Sequence, residues 1–207
     1  MSILTPIAIV IVLVVLSWAV WRLVAFPCPT WLAWLLDNPF TSDYQAKVVS
    51  RLGLVEGLSV LDAGCGPGRL TIPIARAVGP GGRVLAVDIQ AGMISSVMER
   101  AAQAGLANVD FLCAPLGSGR LPTTTFDRAL MVTVLGEIPD KLAALREIYQ
   151  SLKPGGFLSV TEVLPDPHYQ SYGTIQRMAT QAGFRVGGKL GNRFSFTVNL
   201  EKPPGEA

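Results

Sequence analysis

The sequence predicts an α/β domain with a mostly parallel, doubly wound sheet, preceded by one transmembrane helix. From residue 45 onward, short apolar runs alternate with amphipathic stretches, and glycine-rich turns separate them. Residues 3–21 carry no charge, and about 20 such residues span a bilayer core. In a doubly wound sheet, ligands bind at the carboxyl ends of the strands.

The strands are predicted from short apolar runs that end at glycine, proline or aspartate. Nearly continuous apolar runs of this length are typical of strands buried on both faces of a sheet. The predicted strands are Ser59–Ala63, Arg83–Asp88, Val109–Cys113, Asp127–Val134, Phe157–Val163, Phe184–Val186 and Phe194–Leu200.

The helices are predicted from amphipathic stretches, most of which stop at a glycine. The predicted helices are Ala46–Leu52, Leu70–Val78, Gly92–Ala104, Lys141–Leu152 and Tyr172–Ala182. Residues 114–126 predict a loop and Lys153–Gly156 a stop signal. Gly187–Asn192 is the predicted connection between the last two strands.

The amino-terminal part of the chain is strongly apolar. Between Met1 and Leu36 the only charged side chain is Arg22, so a membrane span is favoured over the alternative, a buried core helix. A secretory signal is not indicated, because no basic region precedes the run and no small-residue cleavage site follows it. Basic residues lie after the run, and the positive-inside rule then predicts a cytoplasmic domain.

Residues 26–40 predict a segment that lies on the membrane surface. Prolines interrupt any continuous helix there, and Trp31 and Trp34 are typical of the headgroup region; a loop packed on the domain is the alternative. We expect this segment to cover the carboxyl edge of the sheet as a lid. The predicted division is a transmembrane anchor at 1–25, an interfacial linker at 26–44, the α/β domain at 45–203 and a tail at 204–207.

Charge and cysteine content exclude several classes of partner. Beyond Arg22, the other 16 of the 17 Lys and Arg face 15 Asp and Glu, without a basic tract, so nucleic acid is not an expected partner. Cys28, Cys65 and Cys113 are far apart and lack the spacing of a zinc site. They predict reduced thiols in the cytosol and no metal centre.

A glycine loop follows the first predicted strand in the pattern D-x-G-x-G-x-G, from Asp62 to Gly68. Glycines permit positive φ and let a ligand approach bare backbone N–H groups. A dinucleotide loop has G-x-G-x-x-G spacing, and the Asp62 carboxylate would repel a pyrophosphate. Asp88 ends the second strand, where a carboxylate accepts hydrogen bonds from ribose hydroxyls. The loop therefore favours a nucleoside that carries an ammonium or sulfonium group.

Three stretches resemble the class I S-adenosylmethionine-dependent methyltransferases of the broad small-molecule group often labelled type 11. The stretches are VLDAGCGPG, VLAVDIQAGMI and LREIYQSLKPGGFLSVTEV, and the resemblance covers residues 45–202. It implies a seven-stranded sheet whose last strand is antiparallel, with S-adenosylmethionine as cofactor. The family often has an acid after the third strand to hold the adenine amine. Residues 113–116 contain none here, so backbone groups are expected to replace it.

The resemblance also implies roles for individual residues. Asp62, Gly64 and Gly66 would line the methionine part of the cofactor, Asp88 would bind the ribose and Ile89 would pack beside the adenine. The expected cofactor-binding residues are Asp62, Gly64, Cys65, Gly66, Asp88, Ile89, Ala114, Pro115 and Thr133.

Two residues after the fourth and fifth strands are candidates for catalysis, Glu137 and His168. A base is needed only if the methyl acceptor must lose a proton. Glu137 can instead be a carboxylate at a helix start, and His168 can instead be a solvated loop residue.

Together these features predict a membrane-anchored S-adenosylmethionine-dependent methyltransferase. The expected acceptor is a lipophilic small molecule or lipid, methylated on oxygen, nitrogen or sulfur. The alternative is a membrane-tethered module that binds S-adenosylmethionine without turnover. A nicotinamide oxidoreductase is disfavoured by the spacing of the glycine loop.

Overall fold

The computed structural model describes residues 9, 12–14, 16, 42–164 and 166–205. Residues 26–40 and most of residues 3–21 lie outside this part of the chain, so the membrane span and the lid stay predictions. Within the described part, no helix is both long and apolar enough to cross a bilayer. The described residues near the amino terminus are helical and each more than half exposed: Ile9, Val12, Leu13, Val14 and Leu16.

Helices and strands alternate along the described domain. The helices are α1 (Ser42–Ser50), α2 (Thr71–Val78), α3 (Ala91–Gln103), α4 (Lys141–Ser151) and α5 (Tyr172–Ala182), with a 3₁₀ turn at Leu135–Glu137. The strands are β1 (Ser59–Ala63), β2 (Arg83–Asp88), β3 (Val109–Cys113), β4 (Phe126–Val132), β5 (Leu152–Val163), β6 (Arg185–Gly191) and β7 (Ser195–Glu201).

The seven strands form one sheet in the order β3-β2-β1-β4-β5-β7-β6. The pairs from β3 to β5 are parallel, and β7 is antiparallel to both of its neighbours. This confirms the seven-stranded sheet with an antiparallel last strand. The chain leaves β1 toward β2 and later returns beside it as β4, so the switch point lies between the carboxyl ends of β1 and β4.

The sheet has a hydrophobic core on each face. Residues of α4 and α5 pack on one face, and residues of α2 and α3 pack on the other. Neighbouring strand residues enter opposite cores: Leu61 lies on the α4 and α5 side, while Val60 lies on the α2 and α3 side. This double burial explains why the parallel strands read as continuous apolar runs.

One predicted stop signal and one predicted connection are parts of strands. Lys153–Gly156 follows the end of α4, as predicted, but already belongs to β5. There Gly155 N–H donates to the Lys202 carbonyl at 3.0 Å, and Lys202 N–H donates to the Gly156 carbonyl at 2.9 Å. The register between β4 and β5 shifts in this region. The strand therefore starts before the two glycines, which form an irregularity within it.

The predicted connection Gly187–Asn192 was wrong, because β6 continues to Gly191. The register of β6 against β7 shifts between Val186 and Lys189, where a Cβ on Gly187 would lie 3.0 Å from the Asn199 carbonyl oxygen. Glycine thus allows two backbones to approach closely at a bulge. The turn is at Asn192, whose side-chain oxygen accepts from Phe194 N–H at 2.8 Å and from Ser195 N–H at 3.1 Å.

The other element bounds lie close to the predicted ones. β1, β2, β3 and α5 match them residue for residue, whereas α1 begins at Ser42 and not at Ala46. β4 ends at Val132, because Thr133 has a φ of 55° and leaves the strand. A β-branched residue rarely adopts a positive φ, so the sequence carried no signal for this end of the strand.

Candidate active site

The glycine loop leaves β1 at the switch point of the sheet. Gly64, Gly66 and Gly68 have φ values of 81°, 52° and 86°, a region that favours glycine. A Cβ on Gly64 would overlap the Val134 side chain, and one on Gly68 would overlap Val97 of α3. At Gly66, by contrast, a Cβ would meet no atom within 4 Å. The first and third glycines therefore permit close packing, and the second presents bare backbone to open space.

Asp88 is fixed by the glycine loop and by the start of α3. Gly66 N–H donates to its Oδ2 at 3.0 Å, and Gln90 N–H donates to its Oδ1 at 2.8 Å. Burial raises the pKa of Asp88, and these hydrogen bonds oppose the increase. Each carboxylate oxygen retains a further lone pair, so Asp88 can accept two hydroxyl hydrogen bonds from a ligand.

Asp62 is the second-to-last residue of β1. It is 3% exposed, and the Thr71 hydroxyl donates to its Oδ2 at 2.6 Å. Burial raises the pKa of Asp62 to about 6, the Thr71 hydrogen bond opposes this, and the charge of Asp88 adds to it. A cationic ligand beside the two carboxyl groups would favour their ionised forms.

All nine predicted cofactor-binding residues line one cavity at the carboxyl edge of the sheet: Asp62, Gly64, Cys65, Gly66, Asp88, Ile89, Ala114, Pro115 and Thr133. Their role in binding stays a prediction, but the structure brings them together. Cys65 is buried in the wall, and burial raises the pKa of its thiol, which makes it a poor nucleophile.

One wall of the cavity is apolar, and residues 113–116, which contribute to it, contain no acidic side chain. Ile89, Ala114, Pro115 and Leu116 form it, and Ala114 N–H donates to the Asp88 carbonyl at 3.0 Å. Ile89 is 56% exposed, so a flat apolar group placed against it would bury much of its surface. This wall fits an adenine held by apolar contact and backbone groups.

The opposite wall comes from β4 and the residues that follow it. Thr133, Val134, Glu137, Ile138 and Pro139 line the cavity here. Thr133 N–H donates to the Thr161 carbonyl of β5 at 2.9 Å, and its hydroxyl donates to the Val132 carbonyl at 2.7 Å. These bonds hold Thr133 in its positive-φ conformation, a kind of local strain that is frequent at active sites.

The two predicted catalytic residues lie in different places. Glu137 lines the cavity, whereas His168 is 7% exposed and does not line it. His168 N–H donates to Asp166 Oδ1 at 2.7 Å, and a Cβ on Gly136 would overlap the His168 carbonyl oxygen. The loop after β5 is thus packed tightly on the 3₁₀ turn, and a solvated histidine, the alternative reading, is not what the structure has.

Sequence reasoning did not single out two residues near the cavity that have buried polar atoms, Glu162 of β5 and Tyr44 of α1. Both belong to elements that were predicted in part, but neither sits in a recognisable motif. Within the described ranges, no group of three His, Cys, Asp or Glu side chains is placed to hold a metal ion.

Comparison with known proteins finds similarity to methyltransferases, in agreement with the features of this cavity. A family model described as "Methyltransferase domain" matches residues 60–156. The chain is 33% identical over 113 residues to a demethylmenaquinone methyltransferase of Lactococcus lactis, which covers 55% of this chain and 45% of that protein. It is 35% identical over 120 residues to a ubiquinone/menaquinone biosynthesis C-methyltransferase of a Marinomonas species, covering 58% and 48%. The chain thus spans about half the length of the curated relatives it matches.

Solved structures give the same result for the fold. An S-adenosylmethionine-dependent methyltransferase of Aquifex aeolicus superposes with a TM-score of 0.78 at 27% identity, over 84% of this chain and 99% of that one. The [4+2]-cyclase SpnF superposes with a TM-score of 0.70 at 21% identity, over 79% and 81%, and shares the fold alone. Residues 60–156 thus match a methyltransferase domain, and the described domain has the fold of an S-adenosylmethionine-dependent methyltransferase.

Proposed function

We propose that the protein transfers a methyl group from S-adenosylmethionine to a lipophilic small molecule at a membrane surface. The observation that carries the proposal is the cavity at the carboxyl edge. It combines bare glycine backbone, two carboxyl groups and the apolar wall beside β2 and β3 with further apolar side chains after β4: Val134, Ile138 and Pro139. The first set of groups suits a cationic nucleoside, and the second set suits an apolar acceptor.

The residues of the cavity fit the cofactor. Asp88 would accept from the ribose hydroxyls, Asp62 and the glycine loop would hold the amino-acid part, and Ile89 with Ala114 and Pro115 would cover the adenine. When bound, S-adenosylmethionine supplies an electrophilic methyl group on a sulfonium. The protein's contribution is to orient the acceptor and exclude water, which is the main source of rate in a displacement of this kind.

An aromatic quinol is the acceptor class that we favour. The matched proteins from Lactococcus lactis and Marinomonas are named for quinones, and the second is named a C-methyltransferase. Carbon therefore joins oxygen, nitrogen and sulfur as an acceptor atom. A reduced quinone is electron-rich at its ring carbons and can attack an electrophile, whereas the oxidised ring is electron-poor.

A membrane anchor would bring such an acceptor to the cavity. The uncharged residues 3–21 support a single span, with Arg22 after it and the domain in the cytoplasm. Gln45, near the start of α1, lines a second cavity together with Arg69, and Arg69 also lines the cavity at the carboxyl edge. The start of α1 therefore lies beside the edge of the sheet that holds the cavity.

Turnover distinguishes the enzyme from a binding module, and the experiment uses the full-length protein in liposomes. S-adenosylmethionine labelled on its methyl group is supplied with a demethylated naphthoquinol, and S-adenosylhomocysteine and methylated product are measured together. We expect equal amounts of both products, and neither with the Asp88→Ala variant. Binding of S-adenosylmethionine without product, across quinols and hydrophobic thiols and amines, would favour the tethered binding module.

A further inference from the structure

Two buried polar atoms near the cavity have no hydrogen-bond partner among the described residues: Glu162 Oε1 and Tyr44 Oη. Glu162 is 1% exposed, and its other carboxylate oxygen accepts from Gln170 N–H at 3.1 Å. Buried polar atoms are nearly always hydrogen-bonded in native proteins. Two such atoms from elements far apart in the sequence therefore indicate a place where a ligand group completes the hydrogen bonds.

Both residues lie within electrostatic range of charged groups in the cavity wall. Burial raises the pKa of Glu162 to about 8, the Gln170 hydrogen bond opposes this, and the charges of Asp166 and Glu137 add to it. Burial likewise raises the pKa of Tyr44 to about 12; Arg51 and Arg69 lower it and Glu162 raises it.

Geometry places both residues beside the cavity at the carboxyl edge. Thr161, next to Glu162, accepts from Thr133 N–H at 2.9 Å, and Thr133 lines the cavity. Gln45, next to Tyr44, lines a second cavity together with Arg69, which also lines the first.

Among the described residues, Glu162 forms no ion pair. Four acidic or phenolic groups interact with its charge: Asp166, Glu137, Tyr44 and Tyr169. Lys189 of β6 lies over the rings of Tyr172 and Phe196, at 4.9 and 5.3 Å from their centroids. Within the part of the chain that the structure describes, Glu162 is therefore not one half of a salt bridge, and its carboxyl group can exchange a proton.

We propose that Glu162 and Tyr44 bind the oxygen of a ring hydroxyl on the methyl acceptor, and that Glu162 takes up the proton of that hydroxyl. This deepens the methyltransferase function proposed above. In the ionised form that takes up the proton, the Glu162 carboxylate only accepts, while the Tyr44 hydroxyl can donate. A ligand that contacts both groups in this form therefore donates to Glu162 and accepts from Tyr44. A hydroxyl oxygen does both, whereas a carbonyl only accepts and an ammonium only donates.

The proton transfer balances without any redox partner. The O–H bond of the acceptor breaks, its electron pair stays on the oxygen, and the proton passes to the Glu162 carboxylate. Tyr44 then donates to the oxyanion, whose charge makes the neighbouring ring carbon nucleophilic. After carbon methylation the ring C–H proton leaves to water and Glu162 returns its proton to the oxygen, so one proton is released per methyl group transferred. A carboxyl group with a raised pKa is well matched to a phenolic proton.

Three variants of the full-length protein in detergent test the pair. Glu162→Gln keeps an oxygen for Gln170 N–H but cannot take up a proton, and Tyr44→Phe removes only the hydroxyl. Tyr149→Phe is the matched control, because Tyr149 of α4 packs edge-on against Phe184, with 5.0 Å between ring centroids, and does not line the cavity.

The primary measurement is binding of 2-naphthol, whose fluorescence distinguishes the phenol from the phenolate, with S-adenosylhomocysteine present. We expect the Kd for 2-naphthol to rise at least tenfold in Glu162→Gln and Tyr44→Phe and to stay within twofold in Tyr149→Phe. The secondary measurement is the pH profile of methyl transfer to a naphthoquinol. The wild-type rate should rise with pH and reach a plateau above about pH 8, and the rate of Glu162→Gln should not show this rise.

Calorimetry with S-adenosylhomocysteine separates this proposal from the function on which it rests. We expect all four proteins to bind it with Kd values within twofold of each other. Absence of that binding in every protein contradicts the proposed function. Equal binding of 2-naphthol by all four proteins while S-adenosylhomocysteine is bound, or a wild type that does not bind 2-naphthol, overturns the assignment of Glu162 and Tyr44.

Discussion

The carboxyl edge of the sheet has two halves that differ in how their polar groups are satisfied. In the half at β1 and β2, Asp62 accepts from Thr71, and Asp88 accepts from Gly66 and Gln90. In the half at β4 and β5, Glu162 Oε1 has no partner among the described residues. A site whose groups are already held in place suits one constant ligand, whereas open hydrogen-bonding capacity suits a second ligand that arrives separately.

Asp88 belongs to the half at β1 and β2, where we place the cofactor and which we call the cofactor half. Its replacement is expected to have the largest effect of the changes considered. Replacing it by Ala would remove two hydrogen bonds between ligand hydroxyls and a charged acceptor, each contributing about 1.5–3 kcal/mol. We expect the calorimetric affinity for S-adenosylhomocysteine to fall by roughly a hundredfold or more. The control is Asp110→Ala on β3, which removes only an exposed ion pair with Arg83 at 2.9 Å. An affinity unchanged in Asp88→Ala would remove this residue from the site.

Glu162, in the half at β4 and β5, is expected to make the stability of the protein depend on pH. Its folded-state pKa of about 8 lies above the ordinary value of 4.5, so the folded state keeps a proton that the unfolded state has lost. The free energy of unfolding should therefore fall as the pH rises from about 4.5 to 8. Asp62, with a raised pKa of about 6, contributes in the same direction over a narrower range.

Urea unfolding at pH 5 and pH 8.5 measures this dependence. We expect Glu162→Gln to remove about 3 kcal/mol of the difference between the two pH values. The control Glu99→Gln changes an exposed carboxylate on α3 and should leave the difference as in the wild type. A difference that Glu162→Gln does not reduce would mean that Glu162 is already ionised in the folded protein at pH 5.

Two glycine substitutions compare the packing of the halves. A Cβ on Gly136 would overlap the backbone carbonyl of His168, so Gly136→Ala must displace the loop after β5 and should cost about 1–3 kcal/mol of stability. Gly66 has open space but a φ of 52°, so Gly66→Ala should cost about 1–2 kcal/mol. Thermal unfolding measures both, and we expect only Gly66→Ala to weaken S-adenosylhomocysteine binding. Weakened binding in both variants would show that the halves are coupled.

The cofactor half could be predicted from the sequence because its signals are local. β1, β2 and β3 are each followed by turn or loop residues, and the D-x-G-x-G-x-G loop holds several of the predicted ligand contacts within seven residues. The same rule failed at Gly155 and Gly187, since glycine marks a bulge as readily as a turn and only the neighbouring strand decides which.

The half at β4 and β5, where we place the methyl acceptor, could not be predicted in the same way. His168 was predicted as a candidate because it lies in the loop after the fifth strand, but the structure packs that loop against the 3₁₀ turn, and His168 does not line the cavity. Glu162 was not singled out, because its burial depends on the packed fold, in which the loop after β5 donates to it from Gln170 N–H at 3.1 Å. Such an environment arises from tertiary packing, which no local pattern of residues encodes.

Replacement of Ile89 is expected to have the smallest effect, and it tests whether the cofactor or the acceptor lies against the apolar wall. Its side chain is 56% exposed and lines the apolar wall where we place the adenine. If the ligand covers about 40 Å² of this side chain, burial contributes about 1 kcal/mol, so Ile89→Ala should weaken S-adenosylhomocysteine binding about fivefold. Met98→Ala on α3 removes a side chain of similar exposure, 49%, that does not line the cavity, and should leave the Kd unchanged. Because the same substitution should not alter 2-naphthol binding when the cofactor site is saturated, an effect on naphthol alone would place the acceptor, and not the adenine, against Ile89.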